Sequence, residues 1–155
     1  MSFMEERFFT SKQAAQIAGC TLRQLQYWRE SGVVVPAIAE TGTGRSIYYS
    51  EENLVELAAM VYWLSVGFTF EVAREVLKTL KEQYLGLLND REPKRLIFVK
   101  ESQEGAAKLV EFDGEKVVAA WAEGKFVVPV WLDVIYGRLN NKFKIYLDKN
   151  FKAKL

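Results

Sequence analysis

Two capping boxes on either side of a single glycine constrain this chain more than any other feature. Thr10-x-x-Gln13 and Thr21-x-x-Gln24 each offer a hydroxyl that accepts from an orphan helix N–H and an amide that reaches back to the cap. Gly19 lies between them, where a helix C-terminus favours a residue free to turn left-handed. Two capped helices joined by a glycine turn predict a helix-turn-helix. On the second helix, Leu22, Leu25 and Trp28 recur every three residues and form the expected buried edge. Arg23, Tyr27 and Glu30 then point nearly opposite, with Gln26 beside them. An exposed helix tipped with Arg, Gln and Tyr is what reading a DNA major groove requires.

The following residues extend the pattern. Val33-Val34-Val35-Pro36 reads as extended, residues 40–45 as a turn-rich loop, and Ile47-Tyr48-Tyr49 as a returning strand, which together predict a β-hairpin wing. Ser50 caps a third helix with Glu51 and Glu52 in its first turn, and Thr69 caps a fourth. The apolar stripes of these four helices are expected to be used up among themselves. Asn89-Asp90-Arg91-Glu92-Pro93-Lys94 marks a domain boundary. Beyond it, strands are expected at 95–100, 108–112, 116–121 and 125–130, with a hairpin turn at Asp113-Gly114. A short helix over 133–139 is expected to be broken by Asn140-Asn141, and 142–147 to be a strand or a fraying tail. Phe112, Trp121, Phe126 and Trp131 are expected in the core of this half. The fold class is therefore α+β: a winged helix-turn-helix domain of four helices plus a β-wing at 8–82, a small strand-rich α+β domain at 93–147, and a basic tail at 148–155.

Composition narrows the function. One cysteine, Cys20, and no histidine leave no disulfide, no multi-thiolate metal site and no nucleophile–histidine pair. No cofactor, metal site or catalytic residue is expected, and soft-metal sensing is excluded because two Cys20 copies in a dimer cannot supply three thiolates. Cys20 is expected as a small buried hydrophobe rather than a redox sensor. Neither a signal-peptide pattern nor an apolar run of membrane-spanning length is seen, so a cytoplasmic, nucleoid-associated location is expected. The formal net charge is +1, but residues 1–82 hold eight Lys/Arg against ten Asp/Glu. Charge placement, rather than net charge, must then serve nucleic-acid binding. The acids fall mostly on the third and fourth helices.

Residues Phe9 to about Lys81 resemble the N-terminal domain of the MerR family of bacterial transcriptional regulators. Six patches carry the resemblance: Phe9-Thr10, Ala14-Ala15-x-x-Ala18-Gly19, Thr21-Leu-Arg-x-Leu-x-Tyr-Trp28, Ser31-Gly-Val-Val-x-Pro36, Tyr49-Ser-Glu-Glu-Asn-Leu54 and Val66-Gly-Phe-Thr-Phe-Glu71. The resemblance implies that the second helix enters the major groove while the wing grips flanking backbone. By position, Arg23 would reach bases or phosphates and Tyr27 a phosphate. The chain departs from the family pattern with Gln26-Tyr27-Trp28-Arg29 at the end of the second helix. It also has Ile47 where the wing usually carries arginine, which shifts the expected phosphate grip to Arg45. The C-terminal half resembles small strand-rich domains found after such domains in some regulators and antitoxin-like proteins.

The candidate DNA-contacting residues are Lys12, Thr21, Arg23, Gln24, Gln26, Tyr27, Arg29, Arg45, Ser46 and Tyr48. The expected function is sequence-specific binding of double-stranded DNA in transcription regulation, without enzymatic activity. A homodimer joined through residues 93–155 is the expected working form. The alternative is an antitoxin-type repressor, or a phage excision or partition factor, whose C-terminal domain binds a protein partner.

Overall fold

The structure, a computed structural model, describes residues 7–39, 47–84 and 94–154. The order is β1 (Phe8–Thr10), α1 (Ser11–Ala18), α2 (Leu22–Glu30), β2 (Ile38–Ala39), β3 (Ile47–Ser50), α3 (Glu51–Ser65) and α4 (Phe70–Gln83). There follow β4 (Arg95–Lys100), β5 (Ala107–Glu111), α5 (Gly114–Ala122), β6 (Phe126–Trp131) and α6 (Leu132–Lys154). The architecture is α+β, with two small antiparallel sheets among the described residues. The expected turn-rich loop at 40–45 and most of the expected domain boundary lie outside those residues.

The first half forms as its caps require. Thr10 and Thr21 accept from the amides of Gln13 and Gln24 at 3.2 and 3.0 Å, and both glutamine side chains bond back to the cap N–H. Gly19 ends α1 at φ +86, a conformation an L side chain adopts only under strain. The wing is present, although its outgoing strand begins at Ile38 rather than Val33. Ile38 pairs with Tyr48 and Ala39 with Ile47. A strand absent from the sequence reading, β1, pairs with the other edge of β3 and gives the order β1-β3-β2.

The second half departs further from expectation. Asp113 does not open a hairpin; its carboxylate accepts from Glu115 N at 2.9 Å and caps α5. Residues 116–121 are therefore helical, not a strand. Aspartate suits a helix cap as well as a turn, and Ala119, Ala120 and Ala122 favour the helix over the β-branched pair Val117-Val118. Asn140-Asn141 does not break α6, and 142–147 is helix. Residues 148–154 of the basic stretch continue it.

β4 is the central strand of β5-β4-β6 and is buried on both faces. Leu96 and Phe98 join the main core with Val128 and Val130 of β6, while Ile97 and Val99 pack with Val117 of α5 on the other face. The exposed edge of β5 is partly covered by Gln83 of α4. Its amide accepts from Leu109 N at 3.1 Å and donates to the Ala107 carbonyl at 3.3 Å, as a neighbouring strand would.

The expectation that the first four helices satisfy one another's apolar stripes is incorrect. α3 buries ten residues, spread around its circumference. One continuous core includes residues of α1, α3 and α4 together with Leu132, Ile135 and Leu139 of α6. Trp63 of α3 donates its indole N–H to the Pro129 carbonyl of β6 at 3.0 Å. Lys142 of α6 donates to the Ala18 carbonyl at the end of α1, and Phe143 meets Phe9 edge-on with centroids 5.8 Å apart. The expected placement of the aromatics also fails: Trp121 is 62% exposed, and Phe112 and Phe126 are partly exposed. Trp131 is half-buried between the Phe112 ring and the Arg95 guanidinium.

Because Ile135 sits in the shared core, Ile135→Ala should destabilise the whole chain by about 2–5 kcal/mol. Urea unfolding followed by tryptophan fluorescence and by far-ultraviolet dichroism should give one coincident transition, shifted to lower urea. Two separated transitions, with only one shifted, would contradict a shared core.

Candidate nucleic-acid interface

α2 is held from beneath by Leu25 and Trp28, both buried, and its far side is open. Leu22 is not part of that buried edge: it is 54% exposed. At 3.6 residues per turn, Leu22 shares a line with Gln26 and Arg29 rather than with Trp28. That line forms one wall of a groove of about 500 Å³, whose other walls are Thr10, Ser11 and Lys12 at the start of α1 and Ile47 and Tyr48 of β3. The fold thus brings Lys12, Gln26, Arg29 and Tyr48 of the candidate set to one place.

The remaining candidates are distributed around it. Arg23 is exposed, on the open face. Thr21 and Gln24 are exposed but serve each other as a cap. Gln26 also donates to Glu30 at 2.9 Å, one turn on. Tyr27 leans away from the groove and places its ring 5.0 Å from that of Phe70 at the start of α4. Arg74 stacks on the other partner of that pair, 5.6 Å from the Phe70 centroid. Arg29 lies near the buried Tyr49 hydroxyl, which burial pushes above the usual phenol range and the guanidinium pulls back. Arg45 and Ser46 lie outside the described residues. Ser11, Leu22 and Phe70 were missed by sequence reasoning. The three-residue spacing of Leu22 points to the core, and the contact of Phe70 joins residues far apart in the chain.

The root of the wing depends on one amide. Asn53 is buried on α3, and its oxygen accepts from Ser50 N at 2.9 Å and Ala37 N at 3.0 Å. Its nitrogen donates to the Val35 carbonyl at 2.9 Å and to Glu56 at 3.3 Å. This single side chain fixes both ends of the wing to α3. Asparagine suits the task because one planar group both donates twice and accepts twice. Residue Asn53 was visible in the sequence only as part of a matching patch, with no polar role attached.

Glu56 completes this cluster, with its carboxylate 3.3 Å from Lys81 Nζ on α4. Burial raises its pKa above the usual carboxylate value, against the opposing pull of Lys81 and Asn53. Cys20, beside the same helical turn as Gly19, is half-buried, and burial pushes its thiol up to about 11. A thiol raised by burial is a poor nucleophile at neutral pH.

A carboxyl whose folded pKa is raised binds more protons folded than unfolded. Its contribution to stability is fullest below the unfolded pKa and is lost as pH rises through the folded pKa. Glu56→Gln, which mimics the neutral form and keeps the bond from Asn53, should therefore be at least as stable as the parent at pH 7. Its advantage should shrink as pH falls from the raised pKa of Glu56 down to the ordinary carboxylate value. Denaturant midpoints across pH test this, and a variant clearly less stable at pH 7 would show that the Lys81 attraction outweighs desolvation.

Residues 9–80 match the family model described as MerR HTH family regulatory protein. Over 76 residues, 48% of this chain and 34% of each relative, the chain is 32% identical to an uncharacterized HTH-type transcriptional regulator of Mycobacterium bovis. The same identity and coverage hold for uncharacterized HTH-type transcriptional regulators of two strains of Mycobacterium tuberculosis. The chain thus spans about a third of the length of these curated relatives. Among solved structures, a MerR-family transcriptional regulator from Bacillus cereus aligns at a TM-score of 0.44 and 10% identity, covering 96% of this chain and 73% of that one. With its capped helices, wing and matching sequence, the segment 9–80 is thus similar to the helix-turn-helix domain of MerR-type regulatory proteins.

Proposed function

We propose that this chain is a DNA-binding transcription regulator whose α2 reads the major groove of double-stranded DNA while the wing grips the flanking backbone. One observation carries the reading. The open face of α2, with Arg23, Gln26 and Tyr27, is backed by the buried Leu25 and Trp28 and flanked by the start of α1 and the wing strand. A rigid, capped helix at the edge of a domain can enter a groove that a loop would enter only at an entropic cost. Lys12, Arg29 and Tyr48 supply backbone contacts from the groove wall. Arg45 and Ser46, outside the described residues, are proposed as DNA contacts from their place in the sequence alone. No enzymatic step belongs to this reading, and it carries a cytoplasmic, nucleoid-associated location with it. Among the described residues no helix is long and apolar enough to cross a membrane.

The test uses the duplex that the full-length chain enriches from a random-sequence pool. Arg23→Ala should weaken binding to it by about 1–3 kcal/mol, the worth of a base contact, and leave the unfolding midpoint nearly unchanged. Tyr27→Phe should weaken it less and also leave the midpoint unchanged. If Arg23→Ala binds as the parent does, α2 is not the reading helix.

We further propose that the working form is a homodimer joined through the C-terminal half, which would pair two half-sites on DNA. Val118 and Trp121 stand on the open side of α5 at 63% and 62% exposure, one helical turn apart, and Phe112 and Phe126 are partly exposed nearby in sequence. Large apolar groups clustered on a surface favour association, and a two-fold interface needs one self-complementary patch. Trp121→Glu should convert a dimer to a monomer by sedimentation at micromolar concentration and weaken DNA binding. A parent chain that is itself monomeric at that concentration overturns the dimer. A stoichiometric second protein on the Trp121 surface would replace it with the antitoxin-type reading.

A further inference from the structure

We propose that the last turns of α6 form a third element of the DNA-contacting surface, with Lys149 placed against phosphates beyond those reached by α2 and the wing. This rests on the DNA-binding reading above and extends it to a helix outside the family domain.

α1 is the bridge. Of its residues only Lys12 and Gln16, one turn apart, are exposed; Ala14, Ala15, Ile17 and Ala18 are buried. In a helix-turn-helix the first helix crosses the phosphate backbone, so its open edge is the edge nearest the phosphates. On one side of that edge, Lys12 shares a groove with Gln26 and Arg29 of α2 and Tyr48 of the wing. On the other, Gln16 shares a groove of about 250 Å³ with Lys142, Ile145, Tyr146, Lys149 and Asn150 of α6. The surface from α2 across α1 to α6 is therefore continuous.

α6 is held there firmly. Lys142 donates to the Ala18 carbonyl, and Phe143 packs edge-on against Phe9. Lys142 is thereby committed to the end of α1 and is not counted as a DNA contact. Lys149, two turns further along the same side of the helix, is exposed and forms no ion pair among the described residues. The sequence around it is basic: after Asp133 the only acid is Asp148, against Arg138, Lys142, Lys144, Lys149, Lys152 and Lys154. A compensated surface would interleave acids, as α3 and α4 do. An uncompensated ammonium beside the phosphate-facing edge of α1 fits a polyanion, and because no base edge is in reach of a flanking helix, its contribution should be independent of sequence.

The experiment measures binding of the full-length chain to the enriched duplex and to an unrelated duplex, over a range of salt. Loss of one phosphate contact lowers the slope of log K against log salt by about 0.9. Lys149→Gln should lower the slope by about that amount and weaken binding to both duplexes by the same factor. Gln16→Lys, which adds an ammonium to the same edge, should raise the slope by a similar amount. Lys144→Gln removes the same charge from the same helix, about 140° round the axis, and should leave the slope unchanged. All three sites are solvent-facing, and unchanged unfolding midpoints will show that the variants are folded. The proposal is overturned if Lys149→Gln and Gln16→Lys leave the slope at the parent value while Arg23→Ala still weakens binding. It is equally overturned if Lys144→Gln acts as strongly as Lys149→Gln, which would mean a diffuse charge effect. If Arg23→Ala is also without effect, the groove-reading assignment fails with it.

Discussion

α3 has no solvent face of any width, and the rest of the molecule is arranged to cover it. Ten of its residues are buried, including Trp63, Leu57 and Met60 at the centre of the core. A helix apolar on all sides must be enclosed on all sides. α1 and α4 cover part of it, and the remainder is met by α6 and by β6, whose Pro129 carbonyl takes the Trp63 indole proton. The helix-turn-helix half and the C-terminal half therefore share one core. Burial at Leu132, Ile135 and Leu139 stabilises the helix-turn-helix as directly as burial at Leu25 does.

Within that enclosure the buried polar groups are few, and three of them, Asn53, Glu56 and Lys100, tie elements together. Asn53 ties the wing root to α3 through both of its amide atoms, and Glu56 ties α3 to α4 through Lys81. Lys100, buried at the end of β4, joins α4 to the second sheet through Glu75 and the Gln103 carbonyl. A buried ion pair adds little net stability because desolvation offsets the attraction. Its value is in fixing which partner each charge can accept, and so the setting of one element against the next. The wing root is positioned by the contacts of Asn53, and α4 by those of Lys81 and Glu75.

The surface is divided by chemistry. Lys12, Arg23, Arg29 and Lys149 lie on or beside α1 and α2, whereas Val118 and Trp121 lie on α5, on the opposite side of the second sheet from the main core. The charged and the apolar groups are thus segregated to separate parts of the surface.

The local elements of the N-terminal half were legible in the sequence because their causes are local. Thr10, Thr21, Ser50 and Thr69 each cap the helix that follows within three residues, and Gly19 sets its turn by its own φ. The open face of α2 followed from helical geometry, except that Leu22 sits at the rim of a groove that only β3 and α1 create. The C-terminal half was less legible. Asp113 suits a cap or a turn equally, and the side that α5 buries is decided by β4, a strand no nearer in sequence than Lys100. Asn140 and Asn141 are weak helix formers, yet α6 passes through them because Phe143 finds Phe9 and Lys142 finds the end of α1. Caps, turns and stripe periodicity act within a few residues and are therefore written in the sequence. Which helix encloses α3 depends on contacts between residues such as Trp63 and Pro129, 66 positions apart, and which lysine stands beside α1 on one that spans 124; these exist only once the chain has folded.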